Sequence, residues 1–89
     1  MLSTYKGEFG AWETIKVVGK GGSSTVYKAR ISESGKLIAA KQIDTDGMTK
    51  DQIHSIKAEI ETIKDLANTN IIAFLGSQQI TNKIFIFLE

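Results

Sequence analysis

Isoleucines at positions 53, 56, 60 and 63, continued by Ala67, recur at spacings of three, four, three and four. That period lines one face of an α-helix, so it prescribes a helix with a single buried stripe. Its start is marked as well. Thr49 followed three residues later by Gln52 is a capping box, in which two side chains and two backbone amides satisfy one another. The helix is expected to run to about Ala67. Around it the chain alternates as strands do. "WETIKVVGK" carries Trp12, Ile15, Val17 and Val18 in the broken alternation of a strand with one covered face. "STVYKARI" sets Val26, Lys28 and Arg30 against Tyr27, Ala29 and Ile31, and "SESGK" supplies a turn before "LIAAKQID". Tight connections between consecutive strands imply an antiparallel meander. Beyond the helix, "IIAFLGSQQ" and "IFIFLE" flank a polar turn at "TNK". The expected fold is α+β: three strands, one main helix and two strands, making a five-stranded twisted antiparallel sheet. Residues 1–11, polar and without period, read as a flexible leader to a domain over residues 12–89.

With 89 residues there is room for one small domain, which buries only about 60% of the surface its unfolded chain exposes. A hydrophobic share of 42% is too high for a disordered tail. The net charge of +1 supplies no basic field to recruit nucleic acid or an anionic membrane, and neither is expected as a partner. Without cysteine there are no disulfides, zinc fingers or thiol nucleophiles. The longest apolar run, Ile84 to Leu88, falls far below the roughly 18 residues of a membrane helix, and "MLSTYKGEFG" lacks the apolar core of a secretory signal. A soluble, cytoplasmic protein is the expectation.

Three features could carry chemistry. Strand alternation puts Lys41 on one face with Ala39 and Ile43. A lysine on a covered face either snorkels to the border of the sheet or meets a carboxylate or phosphate there. On the helix, Glu59 lies roughly 70° from the centre of the isoleucine stripe, near enough to reach the sheet, whereas Glu61 and Asp65 lie on the polar side. Acids on such flanks are usually solvated. An ion pair with Lys41 would satisfy both groups. The third feature is "GKGGSS", between two strands. A plain hairpin accounts for one or two glycines, while a backbone without side chains also lets amides approach an anion closely. No helix follows the loop, which excludes the Rossmann fingerprint, and "GK" at 35 is followed by Leu37, which excludes the Walker pattern. "DTDG" opens like a calcium loop, but its glycine comes too early and Ser55 would fall at the twelfth position.

Loop, lysine and acid together resemble the amino-terminal lobe of eukaryotic protein kinases over residues 12–89. "VGKGGSSTVYKA" is similar to that family's GxGxxGxV, with Gly19 and Gly21 at the first two glycines, Ser24 in place of the third, and Val26 at the valine. "IAAK" stands for VAIK and makes Lys41 the lysine that touches the α- and β-phosphates; Glu59 becomes its helix partner. "NTNIIAFLGS" resembles the HxNI segment with Asn68 at the histidine, and "IFIFLE" resembles the strand before the hinge, with Leu88 as gatekeeper and Glu89 as first hinge residue. The resemblance implies that ATP would be held by Val18, Gly19, Lys20, Gly21, Gly22, Ser23, Ser24, Val26, Ala39, Lys41, Leu88 and Glu89. Lys41 and Glu59 would be the catalytic pair, and Ile63 and Phe74 members of the hydrophobic spine under the helix, which plain core packing predicts equally. "AAKQID" and "NIIAFLGS" are most similar to serine/threonine kinases of the mitogen-activated kinase-kinase-kinase type.

No HRD, DFG or APE occurs, and the only histidine, His54, lies in the helix. The catalytic base and the Mg2+ ligands of the family would therefore belong to a missing carboxy-terminal lobe, no metal ligand is expected here, and the chain alone is expected to be inactive. A lobe ending on "IFIFL" is expected to expose apolar surface, as a fragment would. The expected function is the ATP-binding half of a serine/threonine protein kinase, with a protein substrate or a partner kinase. The alternative is a kinase-like docking or regulatory module with no nucleotide role.

Overall fold

The computed structural model describes residues 4–7, 10–22, 24–68, 74–80 and 82–89. Strands β1 (Thr4–Gly7), β2 (Gly10–Lys20), β3 (Ser24–Ile31) and β4 (Leu37–Asp44) precede helix α1 (Lys50–Asn68), and β5 (Phe74–Ile80) and β6 (Lys83–Leu88) follow it. They form one antiparallel sheet in the order β1-β2-β3-β4-β6-β5. The sheet has six strands where the sequence pattern predicts five. The additional strand is β1, inside the stretch whose composition reads as leader, with Tyr5 opposite Trp12. Four residues without apolar alternation carry no strand signal. What holds them is tertiary: the Tyr5 ring stacks on Trp12 at 4.6 Å and tilts against Phe85 at 4.9 Å.

Alternation along the strands divides the apolar residues between two faces. Ile38 and Ala40 of β4 and Phe85 and Phe87 of β6 turn to one side, where they join Trp12, Ala29 and Ile31. There the sheet curls until its edges meet. The Trp12 indole N–H donates to Gln78 Oε1 at 3.1 Å, and Gln78 Nε2 donates to the Lys6 carbonyl at 2.6 Å, tying β2 and β1 to β5. On the other face Ile43, Ile84 and Ile86 pack against Ile60 of α1, with Ile56, Ile63, Phe74 and Leu88 half-buried around them. Ile63 of α1 and Phe74 of β5 thus pack at the joint between helix and sheet, which core packing by itself also predicts.

The same division explains "IFIFL". β6 lies between β4 and β5 and is covered on both faces, so Ile84, Phe85, Ile86 and Phe87 are all buried. The apolar exposure expected of this strand is not found. β5 lies outside it, and among the described residues the exposed large apolar ones are Val17, Val18, Leu37 and Leu66.

The capping box forms in both directions. The Gln52 amide donates to Thr49 Oγ1 at 3.2 Å, and the Thr49 amide donates to Gln52 Oε1 at 2.8 Å. The loop between β4 and α1 is fastened to the β5–β6 turn by the Thr45 amide on the Asn82 carbonyl at 2.9 Å and by Asn82 Nδ2 on Asp46 Oδ2 at 3.3 Å. Among the described residues no helix is long and apolar enough to cross a membrane.

Candidate functional site

Residues directly opposite in an antiparallel pair share a face, so the register aligns side chains across strands that are remote in sequence. One row runs Gly19–Val26–Lys41–Ile86 across β2, β3, β4 and β6. A second runs Lys28–Ala39–Leu88–Phe74 across β3, β4, β6 and β5. Both lie on the face that carries α1. The loop, the strand lysine and the segment before the hinge therefore converge on one patch.

The glycine loop is the tip of the β2–β3 hairpin. It is closed by the Gly21 amide on the Ser24 carbonyl at 2.9 Å. Ser23 lies outside the described residues, as do residues 69–73 of "NTNIIAFLGS". Glycines with positive φ occur elsewhere, at Gly10, Gly35, Gly47 and Gly76, and not at Gly19, Gly21 or Gly22. A Cβ at Gly22 would meet nothing within 4 Å; at Gly21 and Gly19 it would make only ordinary contacts, with Ser24 Oγ at 3.6 Å and Val26 Cβ at 4.0 Å. Neither backbone conformation nor packing within the chain calls for glycine at these positions. Lys20 is exposed beside them, and Ser24 and Val26 are half-buried.

Lys41 is half-buried on the helix-bearing face, between Val26 and Ile86. Glu59 is exposed, and among the described residues no ion pair joins the two. The rotation of the helix accounts for the separation. Ile60, 6% exposed, is the residue α1 presses into the sheet, and its predecessor is turned from it by about 100° and opens to solvent. Lys41 has the sheet environment expected of it. Glu59 stands on the flank without its partner.

At the end of the patch near the chain terminus, Val18, Lys28, Leu37, Ile38, Ala39 and Glu89 surround an open hollow of about 290 Å³. Val18 is 57% exposed, an apolar residue with nothing covering it on this side. Three residues expected to hold ATP, Val18, Ala39 and Glu89, meet here, and Leu88 lies half-buried beside Ala39 in the second row. Lys28, Leu37 and Ile38 are not among the residues the sequence pattern assigns to the site. The register carries the signal for Lys28, since the hairpin around "SESGK" sets it opposite Ala39. Lys36 Nζ reaches Glu89 Oε1 at 3.6 Å across the mouth; both side chains are about half exposed, so the pair contributes little to stability.

The chain matches the protein kinase domain over residues 12–89, and it belongs to that family. It is 32% identical over 81 residues to mitogen-activated protein kinase kinase kinase 5 of Arabidopsis thaliana and 36% identical over 86 residues to MAP kinase kinase kinase mkh1 of Schizosaccharomyces pombe, each match covering 88% of this chain. It is 39% identical over 66 residues, 74% of its length, to serine/threonine-protein kinase TIO of Arabidopsis thaliana. The chain spans 11%, 8% and 5% of the lengths of these three relatives. The kinase resemblance, including its leaning toward kinase-kinase-kinases, is thereby established. The sheet with its one helix agrees with the family's amino-terminal lobe.

Proposed function

We propose that this chain is the ATP-holding lobe of a serine/threonine protein kinase, and that it takes part in phosphoryl transfer to protein hydroxyls together with a carboxy-terminal lobe of the family kind. The observation that carries the reading is the alignment of Gly19, Val26 and Lys41 in one row beside Ala39 and Leu88. The residues present fit a nucleotide. The hollow beside Val18 and Ala39 is apolar and close to the roughly 300 Å³ at which small-molecule sites begin. Lys41 follows Ala39 two residues along β4, about 7 Å away, which sets a cation at a short step from that hollow. Above the row, glycines that the chain itself does not need leave backbone amides open to close approach by an anion.

Within this reading Val18, Val26 and Ala39 cover the purine and exclude water from it, while the Glu89 backbone, first in the hinge, supplies its hydrogen bonds. Leu88 closes the inner end as gatekeeper. Lys41 holds the α- and β-phosphate charge, and the stretch Gly19–Ser24, including Lys20, Gly21, Gly22 and Ser23, folds over it. ATP with Mg2+ supplies the transferable phosphoryl group and neutralises charge around it. Glu59 has the role of orienting Lys41. Filling that role requires α1 to turn, because Glu59 now faces solvent. That exposure is the one observation favouring the second reading, a docking module with no nucleotide role.

Titration of the chain with a fluorescent ATP analogue, followed by displacement with ATP and Mg2+, separates the two. The proposal predicts saturable, ATP-displaceable binding that is lost in Lys41→Met and in Ala39→Phe, with the fold of both variants verified by circular dichroism. Equal binding by wild type and Lys41→Met, or no displacement by ATP, would favour the docking module.

A further inference from the structure

The stretch "DTDG", residues 44–47, is left unused by nucleotide binding. Asp46 is the only aspartate followed by glycine, and no asparagine is followed by one. The Met48 amide donates to the Thr45 carbonyl at 3.1 Å, which sets Asp46 and Gly47 at the two central places of a turn, and Gly47 takes a φ of +78° there. Both residues are exposed, and a Cβ at Gly47 would meet nothing within 4 Å. Among the described residues the Gly47 amide has no hydrogen-bond acceptor. A glycine nitrogen with a free N–H and no side chain beside it is the backbone group best able to reach the carboxyl carbon of the residue before it. The other aspartates lack this setting: Asp44 closes β4 ahead of the β-branched Thr45, and Asp51 and Asp65 lie within α1.

We propose that Asp46–Gly47 is a site of spontaneous isomerisation, and that the isoaspartate formed there unfastens the start of α1 from the sheet. The Gly47 nitrogen attacks Cγ of the protonated Asp46 carboxyl group; the N–Cγ bond forms, the nitrogen gives up its proton, and the hydroxyl leaves with that proton as water. The product is a succinimide ring. Water then adds to one of its two carbonyl carbons. Breaking the N–Cγ bond restores aspartate, whereas breaking the original peptide bond leaves the main chain running through Cβ and Cγ, with the carboxylate on Cα. Nothing is oxidised or reduced, and water is the sole co-reactant. What the loop holds decides the consequence. Asp46 Oδ2 accepts from Asn82 Nδ2 at 3.3 Å, and the Thr45 amide donates to the Asn82 carbonyl at 2.9 Å, so these residues tie the approach to α1 onto the β5–β6 turn. Isoaspartate moves the carboxylate and lengthens the main chain by one methylene inside the turn that the Met48 amide closes on Thr45. Turn and tie both lose their geometry, immediately before the capping box of Thr49 and Gln52.

The test stores the folded chain for several weeks, warm and at neutral pH, in water enriched in heavy oxygen, then digests it with trypsin in ordinary water. Ring opening inserts one heavy oxygen, so the peptide of residues 42–50 is expected to gain a second chromatographic peak of equal chemical composition, with the label located to Asp46 by fragmentation. Asp46→Glu, which keeps the charge but would need a larger ring, is expected to take up no label there. Gly47→Ala, with a Cβ beside the attacking nitrogen, is expected to slow uptake by about tenfold or more. Circular dichroism checks that each variant is folded. Storage should lower the melting midpoint of the wild type and leave that of Asp46→Glu where it was. No label at Asp46, equal uptake in Asp46→Glu, or uptake in the folded chain slower than in a urea-unfolded sample by more than about tenfold would overturn the site, the last because the fold would then shield the bond. An unchanged melting midpoint after conversion would overturn the unfastening of α1.

Discussion

Trp12 and Gln78 show how much one residue pair can hold in a small lobe. Trp12 is fully buried, meets Phe85 and Phe87 edge-on at 4.9 and 4.8 Å, and gives its only donor to Gln78. Trp12→Ala is expected to cost about 3–5 kcal/mol, enough to unfold a domain of this size, and the loss should show as a collapsed urea midpoint. Gln78→Ala keeps the ring but leaves its N–H without a partner, so a smaller loss of about 1–3 kcal/mol should appear in the same titration. Gly35 offers a sharper local test. Its φ of +72° lies in the left-handed region, which disfavours a residue with a Cβ such as alanine, and Gly35→Ala is expected to cost about 1–2 kcal/mol although no atom lies within 4 Å to clash. At this scale the sequence is legible where chemistry is local. Alternation singles out Lys41, and it does face the helix side. For Glu59 the sequence offers only an angle, and a flank position is decided by a few tens of degrees of helix rotation that no spacing of isoleucines records.

Helix α1 is the element the sequence announces most clearly, because both its ends of evidence are local: a 3-4-3-4 stripe and a box closed by Thr49 and Gln52. Thr49→Ala is expected to cost about 1 kcal/mol, and combining it with Gln52→Ala should cost less than the sum of the two single changes, since each bond depends on the same turn; thermal melts of the four proteins measure this. β1 is the opposite case. It is held because Tyr5, opposite Trp12 in the β1–β2 pair, also meets Phe85 of β6, a contact made only once the sheet has curled, and so nothing in its own four residues announces it. β6 was readable as a strand but not as an interior one. Its position depends on β5 folding back outside it, which is a fact of topology rather than of composition.

For the whole molecule, the register converts a set of separated motifs into a site. Gly19, Val26 and Lys41 are far apart along the chain, and only the pairing of β2 with β3 and of β3 with β4 brings them into one row. Because Glu59 stands apart from Lys41, changing both residues should show no coupling in the stability of the free chain: the losses from Lys41→Met and Glu59→Gln are expected to add within about 0.5 kcal/mol. Coupling that appears only with nucleotide present would mark the turning of α1. The most direct examination of the central claim follows the backbone amides of the isotopically labelled chain by NMR while ATP and Mg2+ are added. The account predicts resonance shifts confined to Val18, the loop from Gly19 to Ser24, Val26, Ala39, Lys41, Leu88 and Glu89, with the amides of Trp12 and Phe85 unmoved. Shifts clustered instead between α1 and β5, or none at millimolar ATP, would contradict it.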